Sequence, residues 1–596
     1  MKTTDLIKDS LNHSSRRRGF LLIPLALALA WKSFHGKNIQ SPRLSLGWAF
    51  LRSAAILTLL LATANSSFAG SATWLANPAT GNWSTASNWT PATVPNGPND
   101  TATFATSNVR FVAPEGATQV NGIVFNPGAS RFTIALLTTT LTISGVGITN
   151  NSGITQNFAP GPGAIDFMNS ATAGGSNVAF TDAGTVQFFN TSTAGDATFT
   201  NNGAVKFFDT STAGDATLNN NAEILFQGSS TAGNGTLTNS GGGIVIFSDG
   251  TPTADNGTFT NTGGAVSGGG GGLIVFNAGT AGDATFTNNG GAVSGAFPGE
   301  TLFNPGDAGD ATLIANGGLG GGAGGLIVFS SAGGVSTGGT ARVEVFGNGN
   351  LDISQQSAPG LTTGSIEGDG LVFLGANNLT VGTNNLSTTF SGLVQDGGIS
   401  RRTGGSLTKT GNGKLSLTNA NTYTGATTVN AGSLLVKNRT GSGTGTGAVQ
   451  VNAGTLGGTG KINGAVTVGT GTSSGAILLA GNGATSPGTL TINNTLTFNS
   501  LSTYKCVLNR TRAKASEAAA LGMTINSNVP FTFVDTGTGT LATGTVFTVI
   551  NNTSANPIFG TFSNLSDGSV FTSNGNNFQV SYTGDTGNDL TLTVVP

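Results

Sequence analysis

Between about residues 164 and 340, apolar and polar residues alternate in short runs that recur at a nearly constant interval. The runs AIDF, TVQF, AVKF and EILF each end in a phenylalanine, and the first four are 21, 19 and 19 residues apart. Alternation over four or five residues predicts half-buried β-strands. Later units are stretched by glycine-rich insertions. The phenylalanines of the series are Phe167, Phe188, Phe207, Phe226, Phe247, Phe276, Phe303 and Phe329.

Each unit of about 20 residues continues with a polar T-A-G-D bend, a second alternating strand such as A-T-F-T-N, and an Asn/Gly turn. Such strands are too short to be stable alone, but stacked copies pair their backbones at ~4.8 Å. Phenylalanine then stacks on phenylalanine inside. The pattern predicts an all-β fold, a right-handed parallel β-helix or β-solenoid, because parallel crossovers are right-handed. Neither ~40-residue propeller blades nor long helical periodicity is present.

Asparagines at the turns are expected to form side-chain ladders and to adopt left-handed backbone conformations. These are Asn202, Asn220, Asn239, Asn261, Asn289 and Asn316. The glycine-rich runs, such as 267–272 and 317–325, are interpreted as flexible loops between turns of the solenoid. They lack the Gly-Lys-Ser/Thr ending of a phosphate-binding loop. The alanine-rich stretch 512–521 is the one segment with helical propensity.

Composition supports a folded repeat protein. Glycine accounts for 95 of 596 residues without a G-X-Y period, which excludes collagen, while 37% hydrophobic and 8% charged residues argue against disorder. Cys506 is the single cysteine, so no internal disulfide exists and a buried thiol is expected.

The amino terminus predicts export. Arg16, Arg17 and Arg18 precede an apolar run over 20–31, and Arg17-Arg18 with the following Phe-Leu pair fits a twin-arginine signal. A second apolar run, 54–64, ends in a small-x-small pattern at residues 67–69. Both runs are shorter than the ~20 residues of a membrane-spanning helix. Residues 1–69 are therefore predicted to be a leader, with the choice of the true signal and its cleavage left open.

The remaining chain has little chemistry for catalysis or for nucleic-acid binding. Residues 70–596 contain 15 Lys and Arg against 24 Asp and Glu, a formal net charge of −9, which disfavours nucleic acid. Both histidines, His13 and His35, lie in the leader. A Ser/His/Asp triad and a histidine metal site are thus excluded from residues 70–596. No cofactor is predicted.

Two groups of acids could have a function other than solvation, as a metal site or as catalytic carboxylates. Four aspartates occupy equivalent bends about one turn apart, where they are either solvated or bind calcium as an oxygen-only column. They are Asp196, Asp215, Asp283 and Asp310. A second group lies near Arg401 and Arg402, and would supply the carboxylates of a polysaccharide lyase or glycosidase. Its members are Asp352, Glu367, Asp369 and Asp396.

Three tryptophans stand in the segment that enters the repeats. An uncapped solenoid would expose its apolar core and unpaired strand edges. Trp74, Trp83 and Trp89 are therefore predicted to pack a cap, with carbohydrate stacking as the alternative.

Residues 405–438, GSLTKTGNGKLSLTNANTYTGATTVNAGSLLVKN, resemble the autotransporter-associated β-strand repeat of exported bacterial proteins. Stretches 443–468, 486–498 and 578–596 are similar to the usual continuation. The resemblance implies a β-helical passenger-type domain at the cell surface or outside the cell. Autotransporters continue into a C-terminal membrane β-barrel. The last residues do not match one, so the chain is expected to be a passenger without that barrel.

These observations predict an exported, non-catalytic structural or adhesive protein, extracellular or on the outer cell surface, with a polysaccharide-active enzyme as the alternative. Expected partners are surface polysaccharide or other cell-surface proteins, with membrane contact only through an uncleaved leader. The predicted segments are 1–69 leader, 70–130 cap, 131–404 β-helix, 405–500 autotransporter-associated repeat and 501–596 C-terminal end.

Overall fold

The computed structural model describes residues 69–483 and 485–596, which belong to one contact unit. The leader predicted over 1–69 lies outside the described residues except for its last position, Ala69. The described chain is a parallel β-solenoid of about 19 turns, which confirms the predicted fold class. None of its helical turns has the length and apolar character needed to cross a membrane. The division of this unit at residues 130, 404 and 500 stays a prediction.

One ladder of strands, the Phe sheet, carries the phenylalanine series. It has 16 strands, parallel except for the first pair. In spatial order they are Trp89–Thr90, Ala72–Trp74, Gly97–Phe104, Thr118–Phe125, Thr140–Asn150, Ala164–Phe167, Thr185–Phe188, Ala204–Phe207, Glu223–Gly228, Ile244–Gly250, Leu273–Phe276, Glu300–Phe303, Leu326–Ser330, Asn350–Gln355, Leu371–Phe373 and Leu393–Gln395.

A second parallel ladder, the Thr sheet, contains the strand that follows the T-A-G-D bend. Its strands are Phe111–Val112, Thr133–Leu136, Gln156–Pro160, Val178–Asp182, Thr198–Asn201, Thr217–Asn220, Thr236–Asn239, Thr258–Asn261, Thr285–Asn288, Thr312–Ala315, Gly338–Val345, Gly360–Gly368, Asn378–Val381, Ser406–Lys409, Thr427–Val429, Val449–Val451, Val466–Val468, Leu496–Phe498 and Met523–Ile525.

Two further ladders complete the C-terminal part. The first consists of Thr388–Phe390, Lys414–Leu417, Ser433–Val436, Gly454–Gly458, Ala476–Ala480, Thr503–Asn509, Lys514–Ala515 and Phe531–Thr536. The second, a seven-stranded sheet that ends in antiparallel strands, consists of Lys461–Ile462, Thr489–Ile492, Glu517–Ala520, Val546–Asn552, Asp589–Val595, Asn576–Gly584 and Val570–Ser573. Short 3-10 helices cover Ala86–Asn88 and Arg510–Arg512.

The helical propensity of 512–521 is not realised. Glu517–Ala520 is a strand that pairs in register with Thr489–Ile492 on one side and with Val546–Asn552 on the other. Ala518 and Ala520 are buried at this junction, where small side chains let neighbouring ladders approach. Local propensity is a weak preference, and two-sided strand pairing outweighs it.

The phenylalanine series forms the continuous core stack that the spacing predicts. From Phe167 to Phe329 every ring of the series is buried, and consecutive ring centroids lie 4.5–4.9 Å apart. The ring planes deviate by only 6–9° from one turn to the next. The core is therefore periodic and nearly untwisted over these turns.

Asparagines form two kinds of ladder, one inside the solenoid and one outside. The interior ladder runs in hydrogen-bonded order through Asn201, Asn220, Asn239, Asn261 and Asn288, with Nδ2 to Oδ1 distances of 2.6–3.0 Å. The predicted ladders are confirmed: Asn220, Asn239 and Asn261 belong to the interior one. Asn202, Asn289 and Asn316 lie one position further along the chain and point outward, where Asn221 donates to Asn202 and Asn316 donates to Asn289. The predicted left-handed conformation is wrong, because none of these six asparagines has a positive φ.

The glycine-rich insertions are ordered, in contrast to the flexible loops predicted. The segments 263–272, 290–299 and 317–325 hydrogen-bond to one another through their backbones, for example from Ala292 N to Gly264 O and from Leu319 N to Gly291 O, both at 2.9 Å. A Cβ at Gly271 would lie 1.9 Å from the carbonyl oxygen of Pro298. Glycine is needed here because the stacked backbones leave no space for a side chain.

The N-terminal cap is built from the three tryptophans. Trp74, Trp83 and Trp89 are at most 2% exposed, and their rings pack on one another and on Phe104 at 4.9–6.1 Å. Their burial confirms the packing interpretation and removes the carbohydrate-stacking alternative. Cys506 is buried as expected, and burial raises the pKa of its thiol to about 12.

Candidate binding face

The outward side of the Thr sheet presents a regular array of threonines. In six consecutive strands, two outward residues flank a buried phenylalanine or leucine. We call these two columns the threonine array. The first column is Thr198, Thr217, Thr236, Thr258, Thr285 and Thr312, and the second is Thr200, Asn219, Thr238, Thr260, Thr287 and Ile314.

The array is flat and in register. All five pairings between its strands are parallel and free of β-bulges. Where phenylalanines follow one another on the buried side of the Thr sheet they stack with the same regularity, since Phe180 of the preceding strand and Phe199 differ by 5° and Phe259 and Phe286 by 10°. Most parallel sheets twist by roughly 20° per strand. This face is thus a nearly planar lattice of side chains.

The hydroxyl groups of the array make no hydrogen bond to the protein within the part of the chain that the structure describes. Threonines of the neighbouring bend differ. The Oγ1 atoms of Thr193, Thr212 and Thr231 each accept a backbone N–H two residues ahead, at 2.9–3.0 Å. The bend threonines therefore support the fold, whereas the array threonines are available to an external partner.

Charged residues lie only at the edges of the array. One margin is the column two residues before the first threonines, namely Asp196, Asp215, Asn234, Asn256, Asp283 and Asp310. At the C-terminal end, the strand that pairs with Thr312–Ala315 presents Arg342 and Glu344, which form an ion pair at 3.1 Å. The array itself is uncharged.

The four candidate calcium ligands thus stand at an exposed margin. Asp196, Asp215, Asp283 and Asp310 are exposed, and two asparagines interrupt the column between Asp215 and Asp283. Asn234 Nδ2 donates to Asp215 Oδ1 at 2.9 Å, and Thr340 donates to Asp310. Among the described residues, no three His, Cys, Asp or Glu side chains are grouped as a metal site. Solvated bend acids fit this geometry better than a calcium column.

We expect the melting temperature of the full chain to be the same in calcium as in EDTA, because exposed acids in isolated pairs do not supply the six to eight oxygens of a calcium site. Thermal unfolding followed by circular dichroism in the two buffers measures this. A rise in melting temperature with calcium that the Asp283→Asn variant abolishes would restore the calcium hypothesis.

The acids of the enzyme alternative serve separate structural roles. Asp352 accepts the backbone N–H groups of Ser354 and Ile399, both at 2.8 Å, and Asp369 accepts that of Gly347 at 2.8 Å. Glu367 pairs with Arg342, and Asp396 accepts from Gly404, Gly405 and Thr424. Arg401 and Arg402 point to solvent. Each of these four acids is thus used to fix a turn or to neutralise a neighbour.

A small cavity near the start of the repeat segment is lined by Leu386, Lys409 and Lys414 among others. Its volume of about 10 Å³ holds one water molecule. Lys409 is 1% exposed, and its Nζ donates to the carbonyl oxygens of Thr410 and Gly411. Burial lowers the pKa of Lys409 to about 8. Because the ammonium is held by backbone carbonyls and the cavity cannot admit a sugar, this lysine acts in the fold.

Two buried acids with raised pKa values were not anticipated from the sequence. Asp182 is fully buried at the first position of the interior asparagine ladder, and neither of its oxygens has a hydrogen-bond partner. Burial raises its pKa to about 7. Burial, together with the charge of Asp352, also raises the pKa of Glu300 to about 7. A carboxyl group in such surroundings is more stable as the neutral acid.

Comparison with known proteins agrees with the repeat identified above. Residues 407–436 match the Passenger-associated-transport-repeat family, which confirms the resemblance over that segment. A stretch of 115 residues, 19% of this chain, is 35% identical to the Adhesin BmaC autotransporter of Brucella suis biovar 1 (strain 1330). The match covers 3% of that adhesin, so the chain corresponds to a small part of its length.

Proposed function

We propose that this chain is an exported adhesive rod that acts at or outside the cell surface through its outer faces, without catalysis. The observation that carries the proposal is the threonine array, a flat face whose hydroxyls have no partner in the described protein. The similarity to a passenger repeat and to an autotransporter adhesin supports the same role.

The construction of the solenoid suits this role. Every turn repeats the same buried stack and the same backbone pairing, so the outer side chains are held at fixed intervals. Weak contacts repeated on a rigid support add without a further ordering cost at each one. A surface of this kind favours a partner that is itself extended or repetitive. Surface polysaccharide and other cell-surface proteins are the partners expected for the outer faces of the rod as a whole.

Export from the cytoplasm is supported by the leader motifs and by the passenger repeat. A non-catalytic role is supported by the separate structural use of Asp352, Glu367, Asp369 and Asp396. Glycosidases hold two carboxylates about 5–10 Å apart around an accessible substrate. These four are instead engaged with backbone groups or with arginine.

Expression of the full chain in a bacterial host tests the proposal. We expect the protein to be accessible to added protease on intact cells or to be found in the medium. We also expect more cells with the chain than without it to be retained under flow on a surface coated with polysaccharide. The matched control is the Phe226→Ala chain, whose core is damaged while its outer faces keep their composition. Retention that is equal in host cells with and without the intact chain would contradict the adhesive role.

A further inference from the structure

The threonine array has the periodicity of a two-dimensional lattice. Neighbouring turns are separated by ~4.8 Å, in agreement with the 4.5–4.9 Å between stacked phenylalanine rings of the core. Along a strand, the two outward threonines are two residues apart, or ~6.6–6.8 Å. Six strands in register extend this unit over about 24 Å. Few biological partners present matching order in two directions at once.

We propose that the threonine array binds ice, and that its occupant is the ordered water of an ice face. The oxygen atoms on a prism face of hexagonal ice repeat along the two axes of that face at spacings close to those between and along the strands. The inference rests on the proposed function, because it names the partner of the same outward face.

Energetics explain why a lattice is needed. A single threonine hydroxyl gains almost nothing from ice, because liquid water satisfies it equally well. The protein prefers ice to liquid water only when many hydroxyls coincide with oxygen positions of the ice lattice at the same time. The fold must therefore hold these hydroxyls in place before binding. Threonine suits this purpose because its β-branched side chain is stiff about χ1. Its methyl group adds a favourable contribution when it leaves liquid water.

The composition of the face favours ice over the alternatives. Sugar sites usually combine aromatic rings with amide or carboxylate groups that fix orientation, and the array contains no aromatic side chain directed outward. A protein partner would normally bury aromatic or arginine anchors. The charged residues are confined to the margins, where they remain hydrated beside the contact.

The part of the array that best matches the ice lattice is its centre. The strands Thr236–Asn239, Thr258–Asn261 and Thr285–Asn288 each present two threonines, whereas Asn219 and Ile314 interrupt the second column on either side. Substitutions in these central strands should therefore have the greatest effect on binding.

The test is incorporation of the purified full chain into slowly growing ice, measured as the protein concentration in the ice against that in the remaining liquid. The wild-type chain should be enriched in ice. The paired substitutions Thr238→Lys and Thr260→Lys should abolish the enrichment, because long charged side chains hold the face away from the lattice. A second pair, Thr258→Lys with Thr285→Lys, should do the same from the first column.

The matched control places two lysines on the outward side of the Phe sheet, Thr185→Lys with Gln187→Lys, and should retain the enrichment. Circular dichroism melting of all three variants verifies that the solenoid is intact. Exclusion of the wild-type chain from ice would overturn the inference. So would binding to microcrystalline cellulose or chitin that the array variants lose, without incorporation into ice, since that result assigns the face to a polysaccharide.

The two proposals fail separately. If cells carrying the chain are retained on coated surfaces above freezing while the purified protein is excluded from ice, the adhesive role stands and the ice inference is wrong. If the chain never reaches the cell exterior, the proposed function is wrong even where the purified protein enters ice.

Discussion

Replacing Phe226 by alanine is expected to lower the free energy of unfolding by about 3–5 kcal/mol, the largest single effect that we anticipate in this chain. The Phe226 ring is fully buried between Phe207 at 4.8 Å and Phe247 at 4.7 Å, with plane angles of 6° and 7°. Its removal leaves a cavity that neighbouring rings cannot fill, because their own positions are fixed by backbone pairing on both sides.

Denaturant unfolding followed by circular dichroism measures this loss, and amide hydrogen exchange locates it. Exchange should accelerate most in the strands Ala204–Phe207, Glu223–Gly228 and Ile244–Gly250, since each turn contacts mainly its neighbours. The matched control is Phe208→Ala. Phe208 stacks on Phe189 at 5.0 Å but is partly exposed, so a much smaller loss is expected. Equal losses at Phe208 and Phe226 would contradict the importance of the interior stack.

The second large effect is expected at Asp182, where substitution by asparagine should stabilise the solenoid at pH 8. Asp182 pairs in register with Asn201, whose Nδ2 already donates to Asn220 and to the carbonyl of Glu223, at 2.6 and 2.7 Å. The Asn201 amide therefore has no donor left for a carboxylate. An asparagine amide at this position can instead donate to Asn201 Oδ1 and extend the ladder. Removing a buried polar group that has no hydrogen-bond partner should raise the free energy of unfolding by about 1–3 kcal/mol.

The pH dependence follows from the raised pKa of Asp182. The folded chain retains the proton up to about pH 7, while the unfolded chain releases it near the ordinary value of 3.8. Between these values the folded state binds more protons, so the free energy of unfolding falls as the pH rises. The stabilisation that comes from keeping Asp182 protonated is fully present below pH 3.8 and is lost as the pH rises through about 7. The strands that pair with Val178–Asp182 carry no other charged residue, and Asp166 of the adjacent sheet faces outward toward Gln187.

Unfolding measurements from pH 4 to pH 8 should show a smaller decline for the Asp182→Asn variant than for the wild type. Part of the decline should remain, because burial also raises the pKa of Glu300 to about 7, and a double variant with Glu300→Gln should reduce it further. Asp196→Asn is the exposed control and should follow the wild-type profile. Parallel profiles for the wild type and the Asp182→Asn variant would contradict the neutral-acid interpretation.

The sequence predicted the features that depend on spacing. The recurrence of phenylalanine every 19–21 residues was enough to identify the stack from Phe167 to Phe226, because in a solenoid one residue type at a fixed interval can only be a column. The tryptophan cap followed from the need to cover the first turn. The repeat at 405–438 was recognised from local motifs.

Features that depend on whether a residue points into or out of the solenoid are harder to predict. Adjacent residues of a strand point to opposite sides, so the step from Asn201 to Asn202 separates an interior ladder from an exterior one. Both positions are asparagine, and the composition of the turn does not distinguish them. The same limitation concealed Asp182, which resembles a turn acid until pairing aligns it with Asn201.

The threonine array is only partly predictable from the sequence: threonine-rich outer faces follow from the repeats, but their arrangement in straight columns does not. Its signal is present in the recurring T-F-T and T-L-T triplets. Threonine is common in strands, so its outward repetition acquires meaning only when the register shows the columns to be straight and the hydroxyls unpartnered. Stretch 512–521 is not helical, because alanine-rich composition says nothing about the strand pairing that Glu517–Ala520 makes on both sides.

The stacked glycine insertions bear on how such a protein can change over generations. Segments 263–272, 290–299 and 317–325 each hydrogen-bond to the next through their backbones. Deletion of the middle segment would therefore leave backbone N–H and C=O groups without partners in both of the others. Gene changes that add or remove a complete turn, with its insertion included, preserve those partners. Variation in this region should therefore proceed by whole-unit duplication and loss, with loop lengths inherited together rather than one at a time.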